Sequence, residues 1–197
     1  MPPKPRKFER PLGQRSYKKL FLIAAEGAKT EPQYFSGFNS RDAVVRVNCL
    51  KGSHRSSPSS VLKRMTTWLK NNGLKNSDEA WLAVDKDQWT DAQLKELHTW
   101  SQSKNNHGLA LSNPKFEYWL LLHFEEGKGV QNSDQCSERL RQYLPDYDKG
   151  IDIRKFTQDR SIKAVQRAKL RDNPPCLDWP KSIGTTVYRL VDKLIQR

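Results

Sequence analysis

The sequence predicts an α/β fold: a mainly parallel four-stranded sheet flanked by helices, followed by a helical C-terminal part. Three observations carry that reading. Short apolar runs of strand length begin at Leu20, Ala43, Ala80 and Gly108, and they alternate with stretches whose apolar residues recur at helical spacing. Such alternation argues for parallel strands joined by right-handed crossovers, with helices on both faces. Acidic residues stand where two of the runs stop, Glu26 after the first and Asp85 with Asp87 after the third. In an open α/β sheet, ligands collect at the carboxyl ends of the strands.

Residues 1–16 hold four prolines and few apolar groups, which predicts an extended, mobile basic arm ahead of a core over 17–126. Leu20 to Ala25 read as a buried strand ending in a tight turn at Gly27, and Glu26 faces the Asp85 crevice if the two strands are neighbours. Thr30, at or near an N-cap, and Pro32 in the first turn start a short helix near 32–38. Ala43 to Leu50 form a second strand, nearer an edge. Lys51 to Ser60, KGSHRSSPSS, read as a linking loop, although its residues could line a phosphate path.

Pro58 opens a helix to about Asn72 with an apolar stripe of Val61, Leu62, Met65, Trp68 and Leu69, closed by Asn72-Gly73. The stretch EAWLAVDKDQW, 79–89, then delivers Asp85 and Asp87 from a buried strand. Thr90 and Asp91 cap a helix to about Ser103, on which His98 reads as a surface or half-buried side chain. The fourth run, Gly108 to Leu111, is broken by Ser112-Asn113-Pro114. A helix follows, with Pro114 acceptable at its first position, Glu117 in its first turn and His123 as a satisfied core or rim histidine. Beyond Gly127 only helices are predicted, at 133–144, 161–171 and 185–196, as a C-terminal extension over 127–197 packed on the core. Asp146-Tyr147-Asp148 follows no strand and reads as a solvated turn.

Composition narrows the partners. No apolar run approaches the roughly 20 residues that span a bilayer, and no signal-type segment follows the basic N-terminus, so a cytoplasmic protein is expected. Cys49, Cys136 and Cys176 lack paired zinc spacing and read as reduced thiols. A formal net charge of +13 favours polyanions, with nucleic acid ahead of anionic membrane. The positive residues cluster, with Arg6, Lys7, Arg10 and Arg15 in the arm and Arg154, Lys155, Arg160, Lys163 and Arg167 late in the chain; these are the candidate nucleic-acid contacts.

Taken alone, D-x-D at 85–87 could be a solvated acidic turn. Together with Glu26, and with Glu117 where the fourth strand gives way to a helix, it offers oxygen ligands for one or two Mg²⁺ or Mn²⁺ ions. Lys86 or Lys29 could balance charge on a leaving oxygen. Ser/His/Asp order, a G-x-x-x-x-G-K-[ST] loop and a G-x-G-x-x-G turn are all missing.

Three motifs in order, EGAKTEPQYF at 26–35, VDKDQW at 84–89 and SNPKFEYWLLLHF at 112–124, resemble the RloB family, whose members include the AbiL-type abortive-infection component. Such proteins look like compact relatives of the Toprim domain of topoisomerases, bacterial primases and overcoming-lysogenization-defect nucleases, a three-layer fold. The resemblance implies Glu26 as the first-strand acid and Asp85 with Asp87 as the D-x-D pair. Glu31, Asn113 and Glu117 belong to the RloB-like motifs. It further implies bacterial anti-phage defence and a companion ABC- or AAA-type ATPase.

The expected function is therefore a Mg²⁺-dependent endonuclease acting on RNA, such as tRNA, or on DNA. Glu26, Asp85, Asp87 and Glu117 are its expected ligands, and Glu26 or Glu31 could alternatively be the general acid/base. The competing expectation is a non-catalytic nucleic-acid-binding or regulatory subunit of a defence ATPase complex.

Overall fold

Parallel strands β1 (Lys19–Ala25), β2 (Val45–Leu50), β3 (Glu79–Asp85) and β4 (His107–Asn113) are joined by a two-residue strand, β5 (Gly184–Thr185), antiparallel to β4. The sheet order is β2-β1-β3-β4-β5. Among the described residues, seven α-helices surround it: α1 (Thr30–Ser36), α2 (Pro58–Asn72), α3 (Asp91–Gln102), α4 (Phe116–Leu121), α5 (Ser133–Tyr143), α6 (Gln158–Arg171) and α7 (Val187–Ile195). This computed structural model describes residues 18–40, 43–52, 57–87, 89–147 and 150–195. The predicted basic arm, with Arg6, Lys7, Arg10 and Arg15, lies outside them.

The sheet has five strands rather than the expected four. β4 runs past its apolar stretch to Ser112 and Asn113, which pair with Thr185 and Gly184. The Ser112 and Thr185 hydroxyls meet at 2.9 Å, and Thr186 both donates its N–H to Leu111 O (2.8 Å) and accepts the Leu111 N–H on Oγ1 (2.9 Å). Helix α7 consequently starts at Val187, two residues later than expected. Helix α4 also differs: Lys115 occupies its N-cap, so Pro114 lies outside the helix, and the helix closes at Leu121, short of the predicted apolar run. In α1, Thr30 is the first helical residue and not the cap.

Alternation along the strands sends side chains to two apolar layers, as the two-residue period requires. Phe21, Ile23, Trp81 and Ala83 point to the layer that holds Tyr34, Phe35, Trp119, Leu140, Ala164 and Leu190, so α1 and α4–α7 cover that face. Leu22, Ala24, Leu82 and Val84 point to the other, against Val61 and Met65 of α2 and Leu94 and Leu97 of α3. Emptying one such position by Leu82→Ala costs about 2–5 kcal/mol.

Local chemistry starts the helices on the second face. Ser57 Oγ accepts the Ser60 N–H ahead of Pro58, and Thr90 and Gln93 form a reciprocal capping box. Gly73 ends α2 with φ +70. β2 is an edge strand, as expected, and the Asn39 amide pairs with both backbone groups of Val47 (2.9 and 2.7 Å), which blocks further strand pairing there. At the amino end of β3, buried Glu79 accepts from Lys19 (2.6 Å), Lys193 (2.8 Å) and the Trp81 indole (2.9 Å). Among the described residues, no helix is long and apolar enough to cross a membrane.

Candidate functional site

Because β1 and β3 are adjacent and parallel, their carboxyl ends open on the same side of the sheet. Glu26 continues the β1 ladder by donating its N–H to Ala83 O (2.9 Å). Its carboxylate then spans to the next strand: Oε2 accepts the Asp85 N–H and Oε1 accepts the Trp89 indole N–H, each at 3.1 Å. Burial raises the Glu26 pKa against those two hydrogen bonds, with the charge of Asp87 adding to the rise.

Glu31, in the first turn of α1, is only 7 % exposed and accepts the Gly27 N–H at 2.8 Å. A Cβ on Gly27 would collide with that carboxylate, so a side chain there would displace Glu31 from its place against the turn. Burial, and then the charges of Glu117 and Glu26, hold the Glu31 carboxyl above its ordinary range.

Asp85 closes β3 and receives a backbone hydrogen bond from Phe116 at the start of α4. Its pKa stands well above the ordinary value, first through burial and then through Glu31, Glu117 and Glu26. Glu117 completes the group from the first turn of α4. Its Oε1 accepts the Tyr147 hydroxyl at 2.8 Å, and that hydroxyl lies 3.4 Å from Thr30 Oγ1. Burial and the Glu117 charge push the Tyr147 phenol pKa up, which keeps it a proton donor.

Glu26, Glu31, Asp85 and Glu117 thus converge from β1, α1, β3 and α4, and among the described residues none of them is in an ion pair. Asp87 stands apart. It is exposed, in the left-handed region at φ 27, and its N–H donates to Pro114 O (2.9 Å). The tight turn after β3 therefore aims it at the rim, whereas Asp85 faces the buried acids.

The supporting residues have other partners. Lys86 lies 3.6 Å from Asp91, the Asn113 amide donates to Pro180 O (3.0 Å), and exposed Lys29 rests its side chain against Gly150. Four of the five late basic residues have local partners. Arg154 is paired with Asp152, and Lys155 donates to Tyr143 O (3.5 Å). Arg160 donates to Lys155 O (2.8 Å) and covers the Phe124 ring, Arg167 donates to Leu122 O (2.7 Å), and Lys163 is exposed. Leu122 and Phe124 follow α4, whereas Glu117 sits in its first turn.

Of the chain's four histidines, the two considered from the sequence differ in their setting. His123 is buried between Tyr34 OH (3.0 Å from Nε2) and Trp119 O (3.1 Å from Nδ1), and burial lowers its pKa to about 3. His98 is half-buried against Trp179. The three cysteines are free thiols.

An all-carboxylate donor set without a neutralising cation fits a hard divalent ion. The present side-chain positions do not yet form a cage: among the described residues, no three His, Cys, Asp or Glu side chains stand as a ready metal-ligand group. Glu26, Glu31 and Glu117 are each turned to their own N–H or O–H donors, so loading an ion requires some of those hydrogen bonds to be exchanged.

Tyr147 and Trp89 are the contacts the sequence reading missed. Tyr147 sits in the Asp146-Tyr147-Asp148 turn, where only the fold shows that its hydroxyl reaches α4. Trp89 lies within the motif at 84–89, yet nothing in its spacing pairs it with Glu26.

A family model described as RloB-like protein matches residues 21–194. No curated protein and no solved structure matches the chain.

Proposed function

This chain belongs to the RloB-like protein family, and we propose that it is a Mg²⁺-dependent nuclease of the Toprim type. On this reading it hydrolyses phosphodiesters of RNA or DNA in the bacterial cytoplasm, as the effector of an abortive-infection system with a companion ATPase. The observation that carries the proposal is the group of four carboxylates at the carboxyl end of a parallel sheet, none of them in an ion pair among the described residues. Like charges held together in a half-buried mouth repel one another, and a cation among them relieves that repulsion.

Asp85 and Glu117 would hold the ion together with Glu26, and Asp87 would join from the rim. A bound Mg²⁺ or Mn²⁺ supplies neutralisation of phosphate charge and a more acidic water. Glu26, fixed by the Asp85 and Trp89 N–H groups, keeps one carboxylate in place through the reaction. Glu31, the most enclosed of the glutamates at the mouth, has the raised proton affinity suited to general acid/base work. Tyr147 orients Glu117.

Cleavage assays with labelled tRNA, other RNA and DNA in Mg²⁺ or Mn²⁺, with and without the neighbouring ATPase, test the assignment. Glu26→Gln and Asp85→Asn are expected to abolish cutting. Activity that survives both substitutions, or silence with every substrate, metal and partner, overturns it. The second reading, a regulatory subunit with a non-catalytic acidic mouth, draws on one observation: the carboxylates already satisfy themselves with protein donors.

A further inference from the structure

Arg64, in the second turn of α2, reaches over the end of β1 and donates from Nη2 to Ala25 O at 2.5 Å, one residue before Glu26. Its Nε is sealed from solvent with no hydrogen-bond partner, and among the described residues the guanidinium is in no ion pair. Lys51, exposed just beyond β2, flanks the same place. The Cys49 thiol, which precedes it by two residues, is pushed up to about 12 by burial and feels Glu31 as well as Arg64 and Lys51. The acidic mouth therefore has a basic margin on its β2 side, formed by a half-buried guanidinium and an exposed ammonium. Among the described residues, the acids and cations there form no ion pairs with one another. A half-buried arginine tied to Ala25 O, one residue before Glu26, and in no ion pair among the described residues is arranged for an oxyanion that both arginine and a cation at the acids can share.

We propose that Arg64, assisted by Lys51, forms a phosphate-binding subsite that holds the nucleic-acid backbone next to the Glu26–Asp85 mouth. The proposal rests on the nuclease reading for its choice of ligand. Arg64 is a positioning residue for the substrate backbone, and it reads no base.

Binding is measured by fluorescence anisotropy with a labelled single-stranded RNA, in EDTA, over a salt series, for the wild type, Arg64→Lys, Arg64→Gln and Lys51→Gln. Loss of a guanidinium–phosphate contact is expected to weaken binding about tenfold in Arg64→Gln and to lower the slope of log K against log salt by about 0.7. Lys51→Gln gives a smaller loss in the same direction. Arg64→Lys keeps one donor for Ala25 O and decides the matter if Arg64→Gln does not fold. Wild-type affinity and slope in folded Arg64→Gln, or wild-type affinity in folded Arg64→Lys, overturns the subsite; Arg64→Lys keeps the charge and is expected to keep the wild-type slope. The arms separate the two readings. Reduced RNA binding with no cleavage under any condition keeps the subsite and removes the nuclease; cleavage by the wild type with unchanged binding in the variants does the reverse.

Discussion

The Glu26 carboxylate accepts the backbone N–H of Asp85 at 3.1 Å, bridging the carboxyl ends of β1 and β3. Two acids 59 positions apart in sequence are thereby held in different roles. Glu26 is pinned by N–H donors, while the Asp85 carboxyl faces Glu31 and Glu117.

Asp85→Asn should stabilise the metal-free protein. A carboxyl whose pKa is raised on folding binds more protons in the folded state between its unfolded and folded pKa values, so its charge lowers stability progressively as pH rises through that window. Removing it should raise Tm at neutral pH, with the gain vanishing below about pH 4. Thermal melts of both proteins across pH check this.

Mg²⁺ should raise the Tm of the wild type. At a hundredfold excess over Kd, one site adds about 2.7 kcal/mol, or about 5–10 °C for a chain of this size. Asp85→Asn and Glu117→Gln should lose more than half of that shift, and equal shifts in all three proteins would place the ion elsewhere.

Glu79→Gln should destabilise. Burial opposes the charge of Glu79, but hydrogen bonds from Lys19, Lys193 and Trp81 outweigh it and hold the pKa below its ordinary value. The loss should be about 1–2 kcal/mol, small because both ammonium groups are more than 40 % exposed. This stabilisation is present above the ordinary glutamate pKa and fades as pH falls through the depressed one, so chemical denaturation at pH 7 should separate the two proteins more than at pH 3.

Tyr34→Phe removes the hydroxyl that meets His123 Nε2, leaving a buried ring nitrogen unsatisfied at a cost of about 1–3 kcal/mol in a urea melt. His123 stays neutral when folded, with its pKa near 3, so the unfolded chain binds the extra proton below about pH 6.5. Its contribution to stability should decline as pH falls from 6.5 towards 3, and His123→Phe should flatten that decline.

The α2 and α3 helices and the apolar strands were legible because each carries its own period, caps and breakers within one stretch. Strand β5 was not: Gly184 and Thr185 have no pattern of their own and are a strand only because Ser112 and Asn113 lie beside them. Clustering of Arg154, Arg160 and Arg167 likewise does not reveal that Asp152 and backbone carbonyls occupy them. Glu26 and Asp85 were legible as strand-end acids, since a short buried run must end where a charge begins.

The sequence by itself determined the alternation of strands and helices and the presence of acids at the ends of β1 and β3, because hydrophobic period and charge placement act over a few residues. Only the tertiary structure decided that those strands are neighbours, that Asp85 turns in while Asp87 turns out, and that Tyr147 and Arg64 stand at the same mouth. Those relations are set by strand order, by the turn after β3 and by the packing of α2 and α4, and they join residues whose separation along the chain carries no local signal.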